Sequence, residues 1–328
     1  MTGAGSACHY LPPVTFRNDR LDTQNDVGCM RRDKIVRTLS KTPWLFVALA
    51  FSALARQPFE WKDLGDGRLE LREGSKPALV YNYGPQLKHC APESKRRCCY
   101  VFPVYSPAGV SPLDDFPSDH WHHRGLFWSW PIVETGGKRY DIWMMFTARD
   151  RTLRTPTTSV AKDAARLEAH NIWEADGKDI VREDLKMDVF PTQGSSRELE
   201  FTLTWEALKE PVSLAGSPEK GKSYGGFSAR FAPREDTVLR ADGETLAKDE
   251  DLNPRRWAEL EGVYGGKRVV FRITPDPNNP AAPYQWCLRK YGFIGASFPG
   301  RTATVDHYTL EPGKPITLRF RVRVSDVQ

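Results

Sequence analysis

Apolar and polar residues alternate with a period of two in several stretches of the chain. In 198–205 the odd-numbered residues are Leu, Phe, Leu and Trp, and the even-numbered residues are Glu or Thr. In 316–324 five apolar side chains alternate with one Thr and three Arg. Because successive side chains of a strand point to opposite faces, both stretches predict antiparallel strands with one buried face.

Weaker strand patterns follow one another along the chain and are separated by glycine-containing turns. The patterns occupy 68–72, 78–83, 100–105, 166–173, 180–190 and 268–273. The turns are 65–67, 136–137, 242–243 and 265–266. No stretch after residue 55 has the spacing of a convincing amphipathic helix, and no linker divides this region. We therefore predict an all-β fold, in which 56–328 form a single large antiparallel β-sandwich domain.

The N-terminal part has the pattern of an export signal. Five basic residues lie in 31–41, and an apolar run in 44–55 ends on Ala53-Leu54-Ala55. We predict that 30–55 are a signal peptide, cleaved near Ala55, which directs the protein to the periplasm or outside the cell. An uncleaved signal anchor is the alternative. Residues 1–29 match no targeting signal, so we predict that they are a gene-model extension ahead of a true start at Met30.

Charge and cysteine content narrow the choice of partners. The 40 basic and 38 acidic residues of 56–328 nearly balance, which predicts no nucleic-acid partner. This region also has no apolar run of the ~20 residues that a membrane-spanning helix needs, so we expect no stable membrane span after cleavage. Export permits disulfides, and Cys90 is predicted either to pair with Cys98 or Cys99 or to stay reduced.

The densest group of chemically active side chains lies in 119–130. Three of the seven histidines stand here at His120, His122 and His123. If this segment is extended, His120, His122 and Arg124 share one side, and two indoles join them unless Gly125 shifts the register. Imidazoles, a guanidinium and indoles suit a polar, ring-shaped ligand. The predicted ligand-binding side chains of the segment are Asp119, His120, Arg124, Trp128 and Trp130.

Two alternatives to a polar-ligand site remain open for the histidines. His120 and His122 could bind a divalent metal, or all three rings could be structural. In the polar-ligand interpretation no cofactor is needed, and His122 and His123 are the candidate acid–base residues because imidazole transfers protons near neutral pH.

Two further segments carry candidate binding groups beside Gly or Pro. The paired glycines of 224–230 permit close backbone approach, and the Pro-rich loop of 275–286 is typical of a binding-site rim. The candidates in these segments and just after them are Tyr224, Arg230, Asp276, Asn279, Trp286 and Arg289. We expect the three motifs around His122, Arg230 and Trp286 to converge on one concave surface.

Together these motifs resemble one bacterial family, and the resemblance covers about 80–320. The segments that carry it are Val104-Tyr-Ser-Pro-Ala-Gly109, Asp119-His-x-His-His-Arg-Gly-Leu-Phe-Trp128, Gly225-Gly-Phe-x-x-Arg230, Asn279-Pro, Trp286-x-x-Arg289-x-Tyr-Gly292 and the 310–322 ending. This PmoA-like family bears the inherited label "methane oxygenase PmoA" and is otherwise of unknown function. A membrane oxygenase subunit needs several membrane-spanning helices, which 56–328 do not supply, so we set the label aside.

The resemblance implies a large β-sandwich, with a mutarotase-like supersandwich as one form of it, and a role with carbohydrates. We therefore expect an exported protein that binds or acts on a small sugar or an oligosaccharide, with His acid–base chemistry as in sugar epimerases. A non-catalytic carbohydrate-binding module and a metal-dependent enzyme are the alternatives.

The signal-peptide interpretation predicts a processed protein. Cleavage after Ala55 leaves Arg56 as the first residue, because Ala53 and Ala55 supply the small side chains that signal peptidases select. The measurement is the intact mass of the protein recovered from the exported fraction. A cytoplasmic product that retains residues 1–55 would contradict the prediction.

Overall fold

The computed structural model describes residues 58–88, 90–219, 222–300 and 306–327. The predicted extension of 1–29 and the predicted signal peptide of 30–55 lie outside the described residues, so both remain predictions. Within the described ranges the chain forms β-strands and one short 3₁₀ helix, Glu93–Lys95.

The strands are named in chain order. The first twelve are β1 Phe59–Gly65, β2 Arg68–Glu73, β3 Lys76–Asn82, β4 Tyr100–Val104, β5 Leu126–Ser129, β6 Ile132–Thr135, β7 Lys138–Tyr140, β8 Ala148–Thr152, β9 Thr157–Val160, β10 Ala165–Ala175, β11 Lys178–Val189 and β12 Ser196–Ala207. The others are β13 Val212–Ala215, β14 Gly226–Arg230, β15 Glu235–Ala241, β16 Glu244–Thr245, β17 Glu250–Pro254, β18 Ala258–Tyr264, β19 Lys267–Pro275, β20 Gln285–Arg289, β21 Phe293–Ser297, β22 Tyr308–Leu310 and β23 Ile316–Val327.

Two large sheets contain most of these strands. The nine-stranded sheet has the order β1-β2-β3-β4-β5-β14-β21-β20-β17, and the ten-stranded sheet has the order β16-β15-β18-β19-β23-β12-β11-β10-β8, with β9 also paired to β10. A smaller sheet runs β22-β13-β6-β7. The pairings between these strands are antiparallel. The predicted all-β, antiparallel sandwich is therefore confirmed.

The strongest sequence patterns form the middle of the ten-stranded sheet. β12 and β23 are direct neighbours, with Phe201 opposite Phe320 and Leu203 opposite Leu318. Their apolar residues are buried, while the intervening Glu and Arg side chains form ion pairs on the outer face, such as Glu200 with Arg321. This is the arrangement that half-buried alternation predicts.

The core lies between the two large sheets and is rich in aromatic rings. Phe227 of β14 stacks on Phe320 of β23, with ring centroids 4.3 Å apart, and Trp128 of β5 contacts Phe201 of β12. Trp130 lies against both Trp173 and Trp205, at centroid distances of 5.2 and 5.3 Å. Large rings from both sheets thus interlock in the manner of a β-sandwich core.

The carboxylate of Glu183, on β11, is buried within this aromatic core. It accepts hydrogen bonds from the Asn171 amide at 2.9 Å and from the indole N–H groups of Trp173 and Trp205 at 3.0 and 2.8 Å. The indole of Trp128, on the opposite sheet, also interacts with it. Burial raises the pKa of Glu183, and these N–H donors act against that rise.

Of the alternatives left open for Cys90, pairing with Cys98 or Cys99 is not found, because Cys98 and Cys99 are both buried free thiols. Each of the two sulfur atoms lies close to an oxygen atom of β8. The Cys98 thiol lies 3.3 Å from the backbone oxygen of Asp150, and the Cys99 sulfur lies 3.4 Å from the Thr152 hydroxyl. In the described part of the chain, no helix has the length and hydrophobicity needed to cross a membrane.

Replacing Glu183 by Gln tests the importance of the buried carboxylate. The amide puts an N–H donor where an oxygen accepted one, so a buried donor loses its partner, and unfolding should become easier by about 1–3 kcal/mol. Urea denaturation measures this change. The control is Glu198→Gln on the outer face of β12, for which a change within about 0.5 kcal/mol is expected. Equal effects of the two substitutions would contradict the prediction.

Candidate active site

The candidate site lies on the face of the nine-stranded sheet that points away from the ten-stranded sheet. Along β5 and β20, residues of the core face alternate with Phe127 and Cys287, which belong to a second apolar cluster with Tyr100, Trp143 and Phe293. The strand register places Arg289, Phe293 and Arg230 in one row across β20, β21 and β14. Arg289 and Phe293 of this row, with Cys287 and Trp143 of the cluster, form the floor of the site.

The histidine segment reaches this floor as a turn, not as a strand. The amide of His123 donates to the carbonyl of His120 at 2.9 Å, and the amide of His120 donates to the carbonyl of Pro117 at 3.0 Å. The conditional expectation of an extended 120–124 is therefore wrong. The turn collects the three imidazoles that strand alternation would have separated, with ring centroids 4.5–5.6 Å apart.

Arg124 holds this turn in place and is not available to a ligand. Its guanidinium donates to the backbone oxygens of Trp121 and His123 at 2.8 and 2.7 Å, and also to that of Lys95. It is fully buried and lies over the ring of Phe116. The predicted ligand-binding role of Arg124 is corrected accordingly, since an Arg bonded to three carbonyl groups is a structural clamp.

Lys95 connects the clamp to a second wall of the site. Its ammonium donates to the backbone oxygen of Met144 at 2.8 Å, while its own carbonyl accepts from Arg124. The loop that contains Trp143 and Met144 is thereby fixed beside the histidine turn. Burial lowers the pKa of Lys95.

The two buried histidines are neutral at physiological pH. Burial, together with the nearby His120, Lys95 and two arginines, lowers the pKa of His122 to about 3. Burial also lowers the pKa of His123 well below its ordinary value, and its Nδ1 has no hydrogen-bond partner within the described residues. Neutral imidazoles can each donate and accept one hydrogen bond, which suits ligand hydroxyl groups.

Asp119, Arg230 and Tyr291 surround the third histidine. Arg230 Nη2 lies 2.8 Å from both carboxylate oxygens of Asp119, and Asp119 Oδ2 lies 2.9 Å from His120 Nδ1. Burial raises the pKa of Asp119, but the bonds from Arg230 and His120 outweigh it and the net pKa is lowered. The Tyr291 ring lies parallel to His120, with a centroid distance of 5.6 Å.

A cavity of about 320 Å³ opens between these elements. We call it the histidine pocket, and its lining is His120, His122, His123, Trp143, Met144, Glu219, Lys222, Tyr224, Cys287, Arg289, Tyr291 and Phe293. Its charged groups are paired: Lys222 with Glu219 at 2.5 Å, and Arg289 with Asp251 at 2.7 Å. The Tyr224 hydroxyl donates to Glu219 at 3.2 Å. The pocket therefore combines aromatic faces with fixed polar groups.

Three predicted ligand-binding tryptophans point into the core instead. Trp128 contacts Phe201, and the Trp130 indole donates to the Phe298 carbonyl at 2.7 Å. Trp286 is fully buried on the core face of β20, and its indole donates to the Arg255 carbonyl at 2.8 Å. These indoles cannot stack on a ligand in the histidine pocket, so the three assignments are corrected.

Asp276 and Asn279 also lie away from the pocket. The side chain of Asn279 both donates to and accepts from the backbone of Arg319 on β23, at 2.7 and 2.8 Å. The Asp276 amide donates to the same Arg319 carbonyl at 2.9 Å. The Pro-rich loop is thus fastened to the ten-stranded sheet, and neither side chain lines the histidine pocket.

The sequence did not indicate several pocket residues. Trp143 and Met144 lie in a loop without a motif, and Glu219 and Lys222 belong to none of the motifs of the sequence. Tyr291 could have been found by strand periodicity, because Cys287 and Arg289 alternate with core residues and Tyr291 continues that spacing just past β20.

No metal-binding arrangement is found in the described part of the chain, where three or more His, Cys, Asp or Glu side chains nowhere form a group able to hold an ion. His120 Nδ1 faces Asp119, and the rings of His120 and His122 meet edge to face. Nothing in this geometry favours the alternative in which His120 and His122 are metal ligands.

The fold and the site define an all-β sandwich protein with a histidine-lined pocket on one sheet. The chain belongs to a family of unknown function, DUF6807, which matches residues 68–328. The predicted membership of a family of unknown function is thereby confirmed, whereas the methane oxygenase label is not part of this match.

Among solved structures, the chain is similar to galactose 1-epimerase from Lactobacillus acidophilus NCFM. The two share 12% identity over 82% of this chain and 94% of the epimerase, with a TM-score of 0.34. At these values the likeness carries no argument about activity. No curated protein matches the sequence.

The pKa of His122 predicts how stability depends on pH. An unfolded His binds a proton below about pH 6.5, whereas folded His122 stays neutral down to about pH 3. Its contribution is complete above pH 6.5 and is lost as the pH falls towards 3, at about 1.4 kcal/mol per pH unit. Urea unfolding of His122→Gln between pH 7 and 4 should show a slope that is shallower by up to this amount.

Asp115 contributes a pH dependence of the opposite sign. Burial raises its pKa from 3.8 to about 6, so its contribution is present below pH 3.8 and is lost as the pH rises through 6. Asp115 contributes equally to wild-type protein and to His122→Gln. The difference between the two proteins in how the free energy of unfolding changes with pH is therefore due to His122. An identical slope in both proteins would contradict the low pKa of His122.

Proposed function

We propose that the protein binds a carbohydrate in the histidine pocket. The observation that carries this proposal is the composition of the pocket, in which flat aromatic and imidazole rings alternate with polar groups whose positions are fixed. Its volume of about 320 Å³ falls at the lower end of the range typical of small-molecule sites.

The aromatic part of the pocket suits the apolar faces of a sugar ring. Trp143 and Tyr224 lie with ring centroids 4.9 Å apart, and Tyr291 is exposed at the rim. The Arg230 guanidinium lies over the Tyr291 ring, 4.8 Å from its centroid. A rigid ring that is partly exposed in the free protein gains contacts at low entropic cost when a ligand covers it.

The polar part of the pocket suits hydroxyl groups. The neutral rings of His122 and His123 supply donors and acceptors without a net charge, and the unpaired Nδ1 of His123 is a buried group that a ligand can satisfy. Because Lys222 and Arg289 already pair with carboxylates, the pocket favours a neutral polyol over a strongly charged ligand.

The predicted signal peptide supports a role outside the cytoplasm. We propose that the protein meets its carbohydrate in the periplasm or the surrounding medium, so the relevant ligands are small sugars or oligosaccharides that occur there. The intact mass of the exported protein tests this location independently of the pocket.

A panel of neutral monosaccharides, disaccharides and uronic acids, examined by saturation-transfer NMR and calorimetry, tests the proposal. At least one neutral sugar should bind, and Tyr291→Ala should weaken binding about 2- to 13-fold, since an aromatic contact contributes about 0.5–1.5 kcal/mol. The control is Leu153→Ala, which removes an exposed apolar side chain that does not line the pocket. Absence of binding across the panel would contradict the proposed function.

A further inference from the structure

One of the three pocket histidines differs from the other two in its surroundings. His120 exposes 37% of its side-chain surface, whereas His122 and His123 are buried. His120 also lies beside the carboxylate of Asp119. The positive charges of Lys95, Arg97 and Arg124, in contrast, lower the pKa of His122. A proton added to either buried ring would be costly, because burial and the neighbouring positive charges disfavour the charged form.

Asp119 lies beside one of the two ring nitrogens of His120. Its Oδ2 atom is 2.9 Å from Nδ1, an ion-pair distance, although the ring N–H is not aligned with it as a hydrogen bond. A carboxylate this close favours the tautomer with its proton on Nδ1, which leaves the lone pair on Nε2. Arg230 holds both oxygens of Asp119 at 2.8 Å, which keeps this carboxylate ionised and fixes its position.

The plane of the His120 ring is fixed by two parallel neighbours. His123 stacks on it at 4.7 Å with an angle of 10° between the planes, and Tyr291 at 5.6 Å with an angle of 3°. The ring of His122 meets the His120 ring edge to face, with the two ring centroids 5.6 Å apart. The Asp119 carboxylate, whose pKa is lowered, lies 2.9 Å from His120 Nδ1, so its charge can balance an imidazolium.

We propose that His120 Nε2 is the proton acceptor and donor of the pocket, with Asp119 and Arg230 as positioning residues. This inference rests on the proposed carbohydrate ligand. In the first step the O–H bond of a ligand hydroxyl breaks, its proton forms an N–H bond with Nε2, and the electron pair remains on oxygen. In the reverse step the proton returns to an oxygen of the ligand. The Asp119 carboxylate stabilises the imidazolium between the two steps.

Chemical modification tests the arrangement without any ligand. Diethyl pyrocarbonate acylates accessible, neutral imidazoles, and mass mapping of its products separates the three histidines. His120 should react faster than His122 and His123, and Asp119→Asn should slow its reaction at least threefold because the carboxylate that increases its nucleophilicity is lost. Preferential reaction of His122, or a rate at His120 that Asp119→Asn leaves unchanged, would overturn the proposal.

The chain offers a matched control for these variants. His170 and Asp184 form a similar pair on the ten-stranded sheet, with Nδ1 and Oδ1 2.6 Å apart and 37% and 35% of their side-chain surfaces exposed. Asp184→Asn and His170→Gln remove the same kinds of contact far from the pocket lining. Neither substitution should change the reactivity of His120.

Anomer exchange of the sugars that bind tests the proton transfer itself, because this reaction of reducing sugars requires acid–base catalysis. Exchange NMR should show acceleration by wild-type protein. His120→Gln saturated with the same sugar should exchange it at least tenfold more slowly than saturated wild type. His170→Gln should match wild type, and urea unfolding of each variant establishes that it is folded.

The outcomes separate the two proposals. If no sugar binds while His120 keeps its Asp119-dependent reactivity, the carbohydrate is wrong and the acid–base pair stands. If sugars bind but wild-type protein accelerates no exchange, or His120→Gln exchanges them as fast as wild type, the acid–base role is wrong and the pocket is a binding module.

Discussion

The buried carboxylate of Glu183 is the constraint around which the sandwich is organised. A charge in an aromatic core is tolerated only where donors surround it, and here the donors come from both sheets: Asn171, Trp173 and Trp205 from one, and Trp128 from the other. Apolar burial is not directional, so by itself it sets the relative position of the two sheets less strictly than directed bonds do. Converging N–H groups on one carboxylate permit far fewer relative positions.

This constraint extends from the core to the pocket through strand β5. Trp128 lies on its core face, and the histidine turn ends immediately before it, where Arg124 and Gly125 precede Leu126. A side chain on Gly125 would collide with the Val101 carbonyl, since a Cβ there would lie 2.6 Å from that oxygen. The turn is therefore fixed at one end by close backbone packing and along its length by the Arg124 clamp. The imidazoles owe their positions to Arg124 and Gly125, which lie outside the lining of the histidine pocket.

Sequence periodicity predicted the fold well and the site only in part. The alternating stretches around Phe201 and Phe320 became paired central strands, because burial of one face determines which side chains point inwards. The same rule places Trp286 and Arg289, which are three residues apart, on opposite sides of β20, so the two side chains cannot share one pocket.

Other features were beyond the reach of local pattern. Nothing in the spacing of 119–124 reveals that the segment turns, because the turn depends on carbonyl groups that Arg124 bonds, one of them 29 residues away at Lys95. Likewise, the loop that carries Trp143 reaches the pocket through a bond from Lys95 that has no sequence signature. Site residues that are brought together by backbone contacts between distant parts of the sequence can be identified only from a structure.

The tryptophans of the two apolar clusters give the molecule two separate optical reporters. Trp130 lies within 5.3 Å of both Trp173 and Trp205, so their indole transitions couple and their near-ultraviolet circular dichroism follows the packing of the two sheets. Trp143 belongs to the other face and contacts His122, His123 and Tyr224 in the histidine pocket. Its fluorescence is therefore sensitive to what occupies the pocket, while the circular dichroism of the core records whether the sandwich itself is intact.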